Sequence, residues 1–200
     1  MPTRTFTNLP KEKKIRILKA AKKEFSRVPL EKAVIANIVK DAKIPRGSFY
    51  QYFDSIEDLF TYLINYMYVI DCRKFLKLLE ENNNDFYETL KISFANKIDR
   101  LSIEENRQFR INTITTLFNC QKESRSDVFD AIEKSDISID LDMYPCEVKN
   151  SVSTKVLDII KMIGKSCIEK FLSKRENADE TKKEYNKYID LVKSNFTNTL

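Results

Sequence analysis

The sequence predicts an all-α chain, with an N-terminal three-helix helix-turn-helix headpiece over 1–54 and a larger helical domain over 55–200, about nine helices in all. Three observations carry that expectation. Glycine and proline are scarce, at 2 and 5 in 200 residues, so the turns that a sheet architecture needs are missing. Apolar residues recur at three- and four-residue spacing in most segments. Lys40–Phe53 has the pattern of the second half of a helix-turn-helix, with one helix ending near Ala42, a turn at Lys43-Ile44 and a short helix opening at Pro45.

Taken in order, helix 1 spans about Pro10 to Arg27, with the stripe Ile15, Leu18, Ala21 and Phe25 and a lysine-rich remainder. Pro29 ends it. Helix 2, about Ala33 to Ala42, shows Ile35, Ile38, Val39 and Ala42 on one face. Helix 3 starts at Pro45, whose fixed φ suits a first turn. Its Phe49 and Phe53 are four apart, share a face and belong to the core. Ser55 with Asp58 three residues on reads as a capping box for a long helix 4, whose stripe is Leu59, Leu63, Met67 and Ile70.

The polar run Glu80–Asp85 breaks helix 4. Helices 5 (Phe86–Leu101) and 6 (Glu104–Asn119) follow, and a weaker helix 7 covers about Arg125 to Lys134. From Ser135 to Pro145, Ile137, Ile139, Leu141 and Met143 alternate with polar residues, but no partner strand exists, so the segment reads as an ordered loop. Its acids could hold a divalent cation, although plain solvation is the simpler reading. Helix 8, about Cys146 to Ser173, has two apolar faces, one through Val148, Val152, Val156, Ile159, Ile163 and Cys167 and another through Leu157, Ile160, Ile168 and Leu172. Burial from two sides follows from that pattern. Helix 9, about Asp179 to Phe196, carries Tyr185, Tyr188, Ile189, Val192 and Phe196 on one side. Together the last two helices suit a four-helix interface between two copies of the chain. The candidate contacts are Val152, Val156, Ile159, Ile163, Tyr188 and Val192, with Gly164 allowing close approach.

Charge is unevenly spread. Residues 1–54 hold 13 Lys and Arg against 5 Asp and Glu, a balance of +8, while the remainder is at −3. A basic N-terminal quarter suits a phosphate-bearing partner. The short third helix adds Arg46, Ser48, Tyr50, Gln51 and Tyr52 around its Phe pair, groups that fit the major groove of DNA better than a core. With no His in the chain, histidine acid–base chemistry is excluded and most metal sites with it. No metal, cofactor or catalytic residue is expected. Four isolated cysteines (72, 120, 146, 167), no apolar run near the ~20 residues of a membrane span and no leader pattern read as a cytoplasmic protein with reduced thiols and no membrane contact.

Ile15-x-x-Leu18-x-Ala20-Ala21-x-x-x-Phe25, then Ile38-Val39-x-x-Ala42-x-Ile44-Pro45-Arg46-Gly47-Ser48-Phe49-Tyr50-Gln51-Tyr52-Phe53 and Glu57-Asp58-Leu59, resemble the TetR family of bacterial transcriptional regulators. The resemblance covers the first quarter of the chain. It implies a homodimeric DNA-binding regulator, usually a repressor, that a small-molecule effector releases from a palindromic operator. Carried onto this sequence, Arg46, Gly47 and Tyr50 would meet base edges, and Ser48, Gln51 and Tyr52 would bond phosphates. Two departures stand out. The family often has Thr near the start of helix 2, where this chain has Ala33 and Val34, and Lys at the start of helix 4, where it has Ile56. Fewer phosphate contacts should shallow the salt dependence, unless Arg4, Lys11, Lys13 and Lys14 compensate.

No ligand-binding residue is assigned. The effector region offers Tyr62, Tyr66, Tyr68, Phe86, Tyr87, Phe94, Phe109 and Phe118 with Asn112, Thr113, Thr115 and Thr116, a composition that leans towards a lipophilic effector. Any one of these aromatics is more simply a core residue. Two competing functions remain. A helical binding or scaffold protein with a vestigial headpiece rests on the missing Thr and Lys. An enzyme has no nucleophile–base pair or phosphate loop to support it.

Overall fold

The computed structural model describes residues 2–123 and 153–196, and every regular element among them is helical. These are α1 (Arg4–Thr7), α2 (Lys11–Arg27), a 3-10 turn (Leu30–Lys32), α3 (Ile35–Ala42), α4 (Arg46–Tyr52), α5 (Ile56–Glu81), α6 (Phe86–Leu101), α7 (Glu104–Glu123), α8 (Thr154–Leu172) and α9 (Ala178–Phe196). The expected helix over 125–134 and the 135–145 segment lie outside the described residues, as do Cys146, Val148 and Val152. Among the described residues no helix is long and apolar enough to cross a membrane.

α2 buries more than its expected stripe. Leu18, Ala21 and Phe25 are in the core, Ile15 is only half-buried, and Ile17, Ala20 and Glu24 are buried too. The reason is that α3 covers one side of α2 and α7 another. α3 ends in a Schellman motif: Lys43 adopts φ 52°, its N–H bonds Lys40 O at 3.2 Å, and Ile44 N–H bonds Val39 O at 3.1 Å. Ile44 and Val39 are both buried, supplying the apolar contact of that motif. At the start of α5, Ser55 Oγ accepts the Asp58 N–H at 3.1 Å, and the Asp58 carboxylate accepts the Asp54 N–H at 3.4 Å. The break after α5 is made by Asn83 and Asn84, both at positive φ, before Asp85 caps α6 through the Glu88 N–H at 3.0 Å.

The chain forms two compact units. The first takes the chain up to Tyr68 together with α7, and the second takes Val69–Ile103 together with α8 and α9. This division differs from a boundary at 54/55, because the first part of α5 and all of α7 share a core with α1–α4: Leu59, Leu63, Ile64 and Phe109 pack with Ile17, Phe25, Ile38 and Phe49. In the second unit, Phe75, Leu79, Phe86 and Leu90 pack with Leu157, Ile160, Phe171 and Ile189. There Phe94 stacks on Tyr185 with ring centroids 3.7 Å apart and planes 9° from parallel.

Candidate nucleic-acid interface

α4 is two-faced. Phe49 is fully buried, and Phe53, the residue that caps the helix, is fully buried with it, their ring centroids 6.0 Å apart. Arg46, Gly47, Tyr50 and Gln51 are exposed, and Ser48 is half-buried. Tyr50 leaves 52% of its surface open, with its ring edge-on to Phe49 at 5.4 Å. A Cβ added at Gly47 would meet nothing within 4 Å, so this point of the helix is open to close approach by a large partner. Tyr52 is placed differently from the expectation that it bonds phosphate. It stands three residues after Phe49 and so shares the inward face. At 4% exposure it lies against Phe6, with Lys13 Nζ 5.6 Å from its ring centroid.

The start of α3 is fixed from α2 by a buried carboxylate. Glu24, at 4% exposure, accepts from Arg27 Nε and Nη2 (2.9 and 2.7 Å), from the Val34 N–H (2.9 Å) and from Asn37 Nδ2 (3.1 Å to each oxygen). Burial pushes this carboxyl up, but the Arg27, Val34 and Asn37 hydrogen bonds outweigh it and hold the pKa below the ordinary glutamate value. Glu24 thus supplies the cap that neither Ala33 nor Val34 can give. Sequence reasoning passed over it as one more charged residue. The available signal was its register, three after Ala21 and seven after Ile17, on the apolar rows of α2.

Lys23 pairs with Asp41 at 2.7 Å, whereas Lys40, Lys43 and Arg46 are exposed around the turn into α4. Of the four leader cations, Lys14 donates to Thr7 O at 2.8 Å and Lys13 lies over Tyr52. Arg4 and Lys11 are exposed. α4 is thus a short helix with an open polar face on a packed helical base, with exposed cations around the turn that leads into it.

Residues 17–63, from within α2 to the opening of α5, match the family model of the bacterial regulatory proteins of the tetR family. Over those residues the chain carries a TetR-type N-terminal domain. That match supports a DNA-binding transcriptional regulator. A Rhodococcus sp. structure described as a TetR-family transcriptional regulator is similar at 16% identity, covering 92% of this chain and 99% of that one, with a TM-score of 0.72. A TetR transcriptional regulator from Rhodococcus sp. RHA1 is 15% identical over 92% of this chain and 95% of its own, with a TM-score of 0.58. At such identities these likenesses speak to the fold. Among curated proteins none matches.

The structure redistributes the residues expected at the TetR-type dimer interface. Val156 and Val192 are buried in the second unit's own core, at 4% and 6% exposure. Gly164 faces the chain's own Tyr185, whose Cε2 lies 3.7 Å from where a Cβ would stand. Ile163 is half-buried against the same core. Ile159 and Tyr188 do face outward, at 36% and 39%, and beside them in sequence Met162 (72%) and Leu191 (50%) are open as well. The helical period explains the shift: with Val156, Ile160 and Cys167 facing inward, position 162 falls on the far side of the helix and position 159 at the edge of the inward face.

Several candidate effector contacts have other uses. Asn112 Nδ2 donates to Phe25 O and Ser26 O, both at 2.9 Å, and Thr116 Oγ1 accepts the Leu30 N–H at 3.1 Å. These bonds tie α7 to the end of α2 and the loop towards α3. Thr113 and Thr115 donate to carbonyls of α7 itself. Tyr62 joins the Phe6–Phe53 cluster, and Phe118 stays 61% exposed.

Proposed function

We propose that the protein is a homodimeric repressor that reads a palindromic operator through α4 and releases it when a small, lipophilic effector binds within the 55–200 region. The observation that supports this reading above the others is the open face of α4, where Arg46, Tyr50 and Gln51 stand exposed around Gly47 on a buried Phe base. Arg46 suits a guanine edge, to which its guanidinium can donate two bonds. Tyr50 suits a base edge or thymine methyl. Ser48 and Gln51 suit phosphate oxygens.

Dimerisation is supported by the apolar side chains that α8 and α9 leave outside their own core: Ile159, Met162, Tyr188 and Leu191. A two-fold pair would present two copies of α4 to half-sites about one helical turn apart. The effector acts by population shift: it must bind the subunit arrangement unsuited to DNA more tightly than the suited one. Tenfold derepression requires about 1.4 kcal/mol of that difference. The aromatic content of 55–200 favours an apolar ligand. The protein would work in the cytoplasm, with Cys72 and Cys167 as buried thiols; burial pushes Cys167 up to about 11, which keeps it unreactive.

Selection of bound duplexes from a randomised library tests the reading. Wild type should recover a palindromic motif, and Ile159→Asp with Leu191→Asp should sediment as a monomer and lose the palindrome. No enrichment at low salt would favour the scaffold function.

A further inference from the structure

A seven-residue helix leaves its last carbonyls without intrahelical partners. In α4 two of these are met by one residue, which precedes Gln51 by 48 positions. Thr3 donates its backbone N–H to Tyr52 O at 3.0 Å and its hydroxyl to Gln51 O at 2.6 Å. The same hydroxyl accepts the Phe6 N–H at 3.4 Å and so caps α1. Phe6 completes the join. It is fully buried, with its ring centroid 4.7 Å from Phe53 and 5.3 Å from Tyr62. Lys14, donating to Thr7 O, fastens the far end of α1 to α2. Arg4 directly follows Thr3 and is exposed, so a positive charge stands next in sequence to the residue that meets the C-terminal end of α4.

We propose that residues 3–9 are part of the DNA interface: Thr3 is a positioning residue that sets the end of the recognition helix, and Arg4 adds a phosphate contact there. The proposal rests on the reading of α4 as the DNA-reading element. Thr3 touches no base. It acts through Gln51 and Tyr52, by removing the fraying that an uncapped short helix would undergo. Arg4 supplies charge without sequence information, which offsets the phosphate-bonding Thr that α3 lacks at Ala33 and Val34.

The two roles leave different signatures. In the full chain, Thr3→Val keeps the side-chain shape and the backbone bond but removes the hydroxyl. It should weaken binding to the selected duplex by about fivefold, as loss of a helix cap does, with no change on random duplex, and Thr3→Ser should restore it. Amide hydrogen exchange over Phe49–Phe53 should quicken by a similar factor of about five in Thr3→Val. Arg4→Ala should weaken selected and random duplexes alike and shallow the log–log salt slope by about 0.9 for each phosphate no longer neutralised. Wild-type exchange and affinity in Thr3→Val would overturn the positioning role, and an unchanged slope in Arg4→Ala would overturn the phosphate-binding role. If wild type selects no duplex at all, the operator reading fails instead. Exchange over α4 and the low-salt slope on random duplex then still decide the two roles.

Discussion

In the unit that carries α4, the core is threaded with polar side chains: Glu24, Ser26, Asn112, Thr113 and Thr116 are all buried and bonded. In the unit built around α6, α8 and α9, the buried polar residues are Thr89 and Thr181 alone among those described, and charge is paired at the surface, as in Lys182–Asp99 and Arg100–Asp71. Hydrogen bonds are directional, and an unmade one is costly, so they fix angles as well as proximity. Apolar contacts fix proximity alone. The comparison teaches where geometry is specified. The short α3 and α4 are held by named bonds from α2 and the N-terminal segment, and α7 bonds the end of α2 and the 3-10 turn, whereas the second unit relies on packed area and leaves apolar side chains exposed on α8 and α9.

The largest expected effect lies in the apolar unit. Phe94→Ala removes the ring stacked on Tyr185 and should cost about 3–5 kcal/mol of stability in thermal or denaturant unfolding. Glu24→Ala should cost about 2 kcal/mol, because the Val34 N–H, the Asn37 amide and Arg27 lose one shared acceptor. The carboxyl is depressed in the folded chain, so its contribution is whole above about pH 5 and is lost as pH falls through and below the ordinary glutamate range. Glu24→Gln should flatten that acid limb in a pH series of unfolding midpoints. Asn112→Ala strips two carbonyls at the end of α2 of their donor and should cost about 1–2 kcal/mol, with faster amide exchange in the 3-10 turn. Lys43→Gly, at the one left-handed position of the helix-turn-helix, should stabilise by about 0.5–1 kcal/mol. Lys182→Ala, which opens an exposed ion pair, should change stability by less than about 1 kcal/mol. A cost at Lys182 equal to that at Glu24 would dissolve the contrast between the units.

Much of the fold was legible because its signals are periodic or local. The bounds of α6 follow from the Asp85 cap and an unbroken stripe, and the turn into α4 follows from Ile44-Pro45. α1 was not legible, since four residues have no period to read and the carbonyls that its cap residue Thr3 meets lie in α4. Glu24 was passed over as solvated and Asn112 was offered to the effector region, because the use of a polar residue on a helix cannot be read until the groups that satisfy it are known. Val156 was assigned outward because α8 is apolar on two faces, and Val192 because the one apolar side of α9 was given to the partner; sequence cannot say which face the chain covers itself. On α4 the spacing sorted Phe49 and Phe53 from Arg46 and Tyr50 correctly, but Tyr52, tyrosine by composition and core by register, went to the wrong side.

The affinity ratio between the selected duplex and random duplex, measured at one salt concentration for wild type and Arg46→Ala, bears most directly on α4 as the reading surface. A wild-type ratio of about 10³ or more, falling by about tenfold in Arg46→Ala while random-duplex binding changes little, is the expected result. An equal ratio in both proteins would mean that α4 does not read sequence.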